Sequence, residues 1–424
     1  MKLHQSEFVR NVLTLLTGTT IAQAFPLAIS PILTRIYTPE DFGVLAIYLT
    51  LVSIFGVIAT ARYELAIVQP VEKADAAAIV VLSILIAVAL SLITLAMVSF
   101  FNAEISELLG SNEIGIWLYF LPVSIFITGV YQALNYWCVR QKNYKLVALS
   151  NISQAATGPS VQAIFGYLKL TGGLILGGVV GALASFCVLL RSVIKRDGDI
   201  FRKVTLEKVK LNAARYSQFP KFSLGGALAN SAGQQMPVFF IIRLFDASIL
   251  GFYSVIMRVV NVPVILLSGG LSQVVYQRVS YMQNNSPQEI KFFIVKLFVV
   301  LALATIPFIA VIYFFGDELF AFIFGEPWRM AGELSGIVVF AIAIRFAVSP
   351  LSVVLSLKGN IRLGATWQLI YLFTVVVTLY MLSSFEIRTF LIGFVIHDLV
   401  LYSLFMLFIL KGATYQAPSE EQCS

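Results

Sequence analysis

Twelve long apolar stretches limit what this chain can fold into more than any other feature. They run over residues 11–35, 42–62, 76–101, 115–138, 146–168, 172–192, 221–243, 247–270, 292–315, 334–356, 364–384 and 389–410. About 20 apolar residues in helical form match the hydrocarbon thickness of a bilayer. Lipid offers backbone groups no partner, so a spanning segment must be a helix or part of a closed barrel. A barrel strand alternates apolar with polar residues, and these stretches are continuous. The predicted fold is therefore all-α, a polytopic membrane protein of twelve transmembrane helices. Charged residues make up 12% of the chain, against about a quarter in soluble domains.

The most organised stretch is Gly18 to Tyr48, broken by Pro26 and Pro31, closed by Arg35, turned at Thr38 to Asp41 and reopened at Gly43. A second copy of the plan begins 208 residues later, where Gly18, Arg35 and Gly43 fall on Gly226, Arg243 and Gly251. This reads as an internal duplication. The spans divide six and six, so both halves start on the same side and form parallel repeats. The expected division is an N-lobe over 1–194, a basic linker over 195–220, a C-lobe over 221–411 and a tail over 412–424.

Charge orients the spans. One set of loops, with both termini, carries 22 of the 29 Lys and Arg. The opposite loops carry five: Arg35, Lys169, Arg243, Arg329 and Arg388. The bias predicts that both termini are cytoplasmic. Nine basic residues between Arg191 and Lys221 read as an anchor against anionic lipid, which accounts for the basic pI without nucleic acid. Ala22-Gln23-Ala24 resembles a signal-peptidase site, but the apolar run continues past it and no cleavage is expected.

Little here suits redox or metal chemistry. Three cysteines without paired spacing and two histidines, His4 and His397, predict no metal and no cofactor. Gly173, Gly177 and Gly181 recur every fourth residue and read as a close-packing face. The sequon at Asn151 falls inside a span and is discounted.

Polar residues inside the spans are costly and mark function or structural pairing. Arg258 is placed midway along span 8 with Asn261 on the same face, and Arg345 midway along span 10. Each arginine either faces a substrate or pairs with a carboxylate; Glu64, Glu113 and Asp398 are the candidates. Amides gather at Gln23, Gln132, Asn135, Gln154, Gln162, Asn230, Gln234 and Gln235. His397-Asp398 in span 12 reads as a proton relay or as a structural pair. Buried cations with neutral donors suit an anion carrying hydroxyl-rich groups.

Ser30 to Val68 (SPILTRIYTPEDFGVLAIYLTLVSIFGVIATARYELAIV) resembles the first hairpin of the oligosaccharide and polysaccharide flippases of the multidrug/oligosaccharidyl-lipid/polysaccharide exporter superfamily. Arg243 to Val260 (RLFDASILGFYSVIMRVV) resembles the same family's later hairpin. The resemblance covers essentially the whole chain. It implies two six-helix lobes working by alternating access. It also implies transfer of undecaprenyl-pyrophosphate-linked oligosaccharide units, for O-antigen, capsule or similar glycans, across the bacterial inner membrane. Arg258, Arg35 and Arg62 match positions of the family pattern; Arg345 rests on its place in the span alone. The resulting candidate site is Arg258, Arg345, Arg35, Arg62, Asn261, Gln132, Asn135 and Gln234, with His397 and Asp398 as candidates for proton or ion coupling. Tyr131, Trp137 and Tyr276 are expected to touch sugar.

The implied partners are the lipid-linked oligosaccharide, membrane lipid, and the glycan polymerase and chain-length machinery, with no nucleic acid. A drug–cation antiporter would instead need buried carboxylates in its cleft. A membrane glycan polymerase or ligase would need a large basic outer loop, and the outer loops are short and acidic.

Overall fold

The computed structural model describes Thr20, residues 22–356 and residues 361–414. These residues are helical throughout, with no strand among them. The helices are α1 (residues 22–36), α2 (Pro39–Ile58), α3 (Lys73–Leu108), α4 (Gly115–Leu118), α5 (Leu121–Arg140), α6 (Tyr144–Tyr167), α7 (Gly173–Arg202) and α8 (Leu206–Arg215). They continue as α9 (Leu224–Leu244), α10 (Ala247–Val260), α11 (Val262–Asn285), α12 (Ile290–Phe324), α13 (Arg329–Val348), α14 (Ile361–Met381) and α15 (Ile387–Thr414). Each of the twelve predicted spans has a helical counterpart. Among the described residues, seven helical segments can cross a membrane by length and composition. The start of span 1, with Gly18, and residues 357–360 lie outside the described residues.

Three departures from the predicted spans have physical causes. Span 8 is not one helix: α10 ends at Val260 and α11 starts at Val262 with proline in its first turn. Proline has no N–H to continue a ladder but fits a helix start. Span 10 tightens into a 3-10 segment, Ser349–Ser356, around Pro350. The linker is mostly helical, because α7 runs on to Arg202 and α8 follows. Buried Trp137 holds that extension. Its indole Nε1 donates to Asp197 Oδ2 at 3.0 Å, and its ring lies 5.0 Å from that of Phe201. Trp137 is fully buried and in no position to touch a sugar.

The chain falls into two compact units that divide between Gly251 and Phe252. The division comes after the seventh predicted span, not in the linker, because α9 packs along α2. In the first unit, α6 and α7 share an extensive contact of small residues. A Cβ on Gly181 would sit 2.8 Å from the Gly158 Cα, so α7 tolerates no side chain there. Gln162 stitches the same contact, donating from Nε2 to Leu174 O at 2.7 Å, while Tyr37 Oη donates to Gln162 O at 2.7 Å. The second unit is built on α12 against α13 and α13 against α15.

The duplication is visible atom by atom in the first unit. Thr38 caps α2 in a capping box: its Oγ1 accepts from Asp41 N, and Asp41 Oδ2 accepts from Thr38 N. Its repeat mate Asp246 caps α10, accepting from Ile249 N at 2.8 Å. Each such cap stabilises a helix by about 1 kcal/mol. The repeat glycines are reciprocal. A Cβ on Gly43 would lie 2.0 Å from Ala247 O, and one on Gly251 would lie 1.8 Å from Pro39 O. Pro39 and Ala247 are themselves repeat mates, as are Glu40 and Ser248, whose side chains share a hydrogen bond. The same 208-residue offset thus relates both partners of each contact.

Candidate functional site

Of the candidate residues of the first unit, Arg62 lies in the turn after α2. Ala61 and Arg62 both take positive φ, 48° and 66°. That conformation is costly for residues with a Cβ, and paired occurrences point to a turn imposed by its surroundings. The turn directs Arg62 Nη1 to Glu64 Oε1 at 3.4 Å, and Thr60 Oγ1 donates to the other carboxylate oxygen. Glu64 is buried, so this pairing supplies the charge it needs. Glu64 is therefore held by Arg62. Arg62 Nε is buried without a hydrogen-bond partner among the described residues.

Arg140, for which the sequence suggests no role, closes the segment after this turn. Its guanidinium donates to the carbonyls of Ile67, Val68, Val71 and Glu72 at 3.1–3.5 Å. Two of these carbonyls end the 3-10 helix Tyr63–Val68, whose last carbonyls have no partner within the helix.

The amides divide by role. Gln132 Nε2 donates to Gly56 O at 3.2 Å, and Thr50 Oγ1 donates to Gln235 Oε1 at 3.1 Å. Tyr131 Oη donates to Asn151 Oδ1 at 2.6 Å. These bonds tie helices together, so Gln132 and Tyr131 have structural work. Gln234 is exposed and donates to Asn230 Oδ1 at 3.3 Å on its own helix. Asn135 Oδ1 is buried with no hydrogen-bond partner among the described residues. Arg35 is exposed on α1. Its repeat mate Arg243 donates to Glu107 O at 3.1 Å.

In the second unit, Arg258 stands in the last turn of α10, three residues before the break at Asn261. It is not mid-helix, as an uninterrupted span would place it. A helix end brings exposed backbone carbonyls to the same place as the guanidinium. Tyr276 on α11 is exposed.

The other candidates of this unit form one buried polar cluster. Arg345 Nη2 lies 2.6 Å from Asp398 Oδ2, and its Nε donates to the same oxygen at 2.7 Å. Arg345 Nη2 also donates to Tyr371 Oη at 2.9 Å, and Tyr371 Oη donates to Asp398 Oδ1 at 3.0 Å. The guanidinium sits over the rings of Phe394 and Tyr402 at 5.6 and 5.7 Å, within cation–π reach. His397 Nε2 lies 3.1 Å from Thr374 Oγ1, and Nδ1 lies 3.4 Å from Asp398 Oδ1. Of the three carboxylates considered for Arg345, Asp398 is the one that meets it; Glu113 is exposed. Arg345 is thus a neutralised cation within a packed network, which corrects its reading as a cation offered to substrate. Asp398 accepts from both Arg345 and Tyr371, so the relay reading narrows to His397.

Both carboxylates buried among the described residues, Glu64 and Asp398, are paired with arginine. Three or more His, Cys, Asp or Glu nowhere gather in a metal-binding group among these residues.

Comparison with known proteins places this geometry. The solved structure of the lipid II flippase MurJ in an inward closed conformation superposes with a TM-score of 0.73 at 15% identity, over 94% of this chain and 87% of that one. An inward-facing multidrug-resistance MATE transporter of the MOP superfamily superposes with a TM-score of 0.69 at 12% identity, over 93% and 96% of the two chains. These likenesses establish a shared fold. In sequence, the teichuronic acid biosynthesis protein TuaB of Bacillus subtilis (strain 168) is 24% identical over 156 residues, 36% of this chain and 32% of that protein. The match spans about a third of that relative. A family model described as polysaccharide biosynthesis protein matches residues 32–333. That stretch contains both repeat hairpins, the helix break beside Arg258 and the linker, and the chain belongs to this family of polysaccharide biosynthesis proteins.

Proposed function

We propose that this protein moves a lipid-linked oligosaccharide across the bacterial inner membrane by alternating access, without catalysing a reaction. The substrate is an undecaprenyl-pyrophosphate-linked repeat unit of O-antigen, capsule or a similar glycan. Membership of a polysaccharide biosynthesis family supports the substrate class, and the shared fold with flippases and transporters supports the mode of action. The observation that carries the reading is Arg258 at a break between two intramembrane helices. A guanidinium there can make charge-assisted hydrogen bonds to a pyrophosphate. Asn261, at the break itself, supplies a donor and an acceptor for hydroxyl groups. The prenyl chain stays in lipid throughout.

Arg345 and Asp398 act as a fixed pair, and His397 is the group placed to exchange a proton. Arg35 and Arg62 retain roles by family resemblance, Arg62 through its pairing with Glu64. The pairing of both buried carboxylates with arginine weighs against a cationic substrate. In a strain deleted for the gene, Arg258→Ala should fail to restore surface glycan, while Arg258→Lys restores part of it. Membrane levels of both variants should match wild type. Full glycan with Arg258→Ala removes this residue from the site.

A further inference from the structure

The first unit holds a cavity of about 440 Å³ at the basic end of α7, between α3, α5 and α7. Its walls include Val81, Ile84, Leu134 and Leu190; Lys195, Arg196 and Arg202 stand at its rim. Asp199 also lines it and pairs with Arg202 at 3.8 Å, which leaves Lys195 and Arg196 as unbalanced charge at the rim. Both are exposed. Asp197, whose carboxylate accepts from the Trp137 indole, does not line the cavity.

The depth of each part follows from helix rise, about 1.5 Å per residue. Gly173 to Ile194 makes about 33 Å, the thickness of a bilayer's hydrocarbon core. Lys195 and Arg196 therefore emerge at headgroup level. Ile84 lies eleven residues inside the start of α3, and Leu134 lies six residues from the end of α5. Counted from the ends of the apolar stretches at Ala76 and Cys138, the walls thus reach about 6–12 Å into the apolar layer. A basic rim over apolar walls at this depth complements a phosphate head joined to hydrocarbon chains. A cation would be repelled at the rim, and a free sugar would find no hydrogen-bonding walls.

We propose that this cavity binds one anionic phospholipid of the leaflet on the side of the basic loops, with its phosphate on Lys195 and Arg196 and its chains along α3 and α7. The bound lipid fixes the α7 extension against the first unit, and this site is independent of the transport reading above. The test uses the full chain in zwitterionic nanodiscs, titrated with labelled phosphatidylglycerol against phosphatidylcholine. Wild type should prefer phosphatidylglycerol about tenfold, and the double variant Lys195→Gln/Arg196→Gln should lose most of that preference. Ile84→Trp, which fills the cavity without changing charge, should lose it too, with Val81→Phe as a second filling variant should the first fold poorly. The charge-matched variant Lys208→Gln/Lys210→Gln on α8 should bind as wild type. Equal loss in the α8 variant, or normal binding in both filling variants, overturns the proposal. So does displacement by inorganic phosphate at matched concentration, or selective displacement by a prenyl pyrophosphate.

Discussion

Asp398 has no exposed surface, and Arg345 and Tyr371 satisfy both of its oxygens. Removing one partner of such a pair leaves the other charge buried alone, which costs about 3–5 kcal/mol. Asp398→Ala should therefore lower the unfolding midpoint in detergent and reduce yield. The double change Arg345→Met/Asp398→Leu should recover much of the loss, because it removes both charges together. A double variant as unstable as the single would show that the charges themselves are needed for folding. The sequence offers Asp398 as one of three partners for Arg345, and spacing along the chain cannot choose among them. Residues 345 and 398 lie on different helices, and which helices adjoin is decided by tertiary packing. Arg258 is legible as an intramembrane cation. Its place at a helix end is also written nearby, since Pro263 has no N–H to continue the ladder and favours a helix start, but the continuous apolar run masks it.

The helices α2 and α10 carry the repeat, and their first turns touch through backbone because Gly43 and Gly251 lack side chains. Gly43→Val and Gly251→Val should each force these turns apart, since the added carbon would fall within about 2 Å of a carbonyl oxygen. Each variant should lower thermal stability by several degrees, and the two should be alike because the contacts are reciprocal. A neutral Gly43→Val would show that this contact is not held in the membrane. Glu40→Cys/Ser248→Cys should cross-link under mild oxidation, as these side chains meet. The sequence is most informative at this scale: an offset of 208 residues pairs the two glycines from the order of amino acids alone. The linker is the least legible part. Its polar composition suggests an extended break, whereas Trp137, Asp197 and Phe201 continue α7 as helix well past the apolar stretch.

The whole molecule is a set of apolar helices, and the two carboxylates buried among the described residues are each paired with an arginine. Arg62 is bound to Glu64 and Arg345 to Asp398, so the candidates with room to change partners are few. A pyrophosphate carries about two negative charges, and the membrane potential acts on each with about 2.3 kcal/mol per 100 mV. With the inside negative, the potential favours outward movement of this substrate. Imposing about 100 mV across vesicles should accelerate outward transfer, and the His397→Gln variant should keep that response if proton exchange is not obligatory. Transfer indifferent to potential and abolished in His397→Gln would instead assign the driving force to protons.

The most direct measurement reconstitutes the purified protein in vesicles with a labelled undecaprenyl-pyrophosphate oligosaccharide on one face. An impermeant glycosidase on the other face reads the transfer. Wild type is predicted to expose the glycan within minutes, while Arg258→Ala leaves it protected at the level of empty vesicles. Glycan that stays protected with wild-type protein, or moves equally well with Arg258→Ala, would contradict the account.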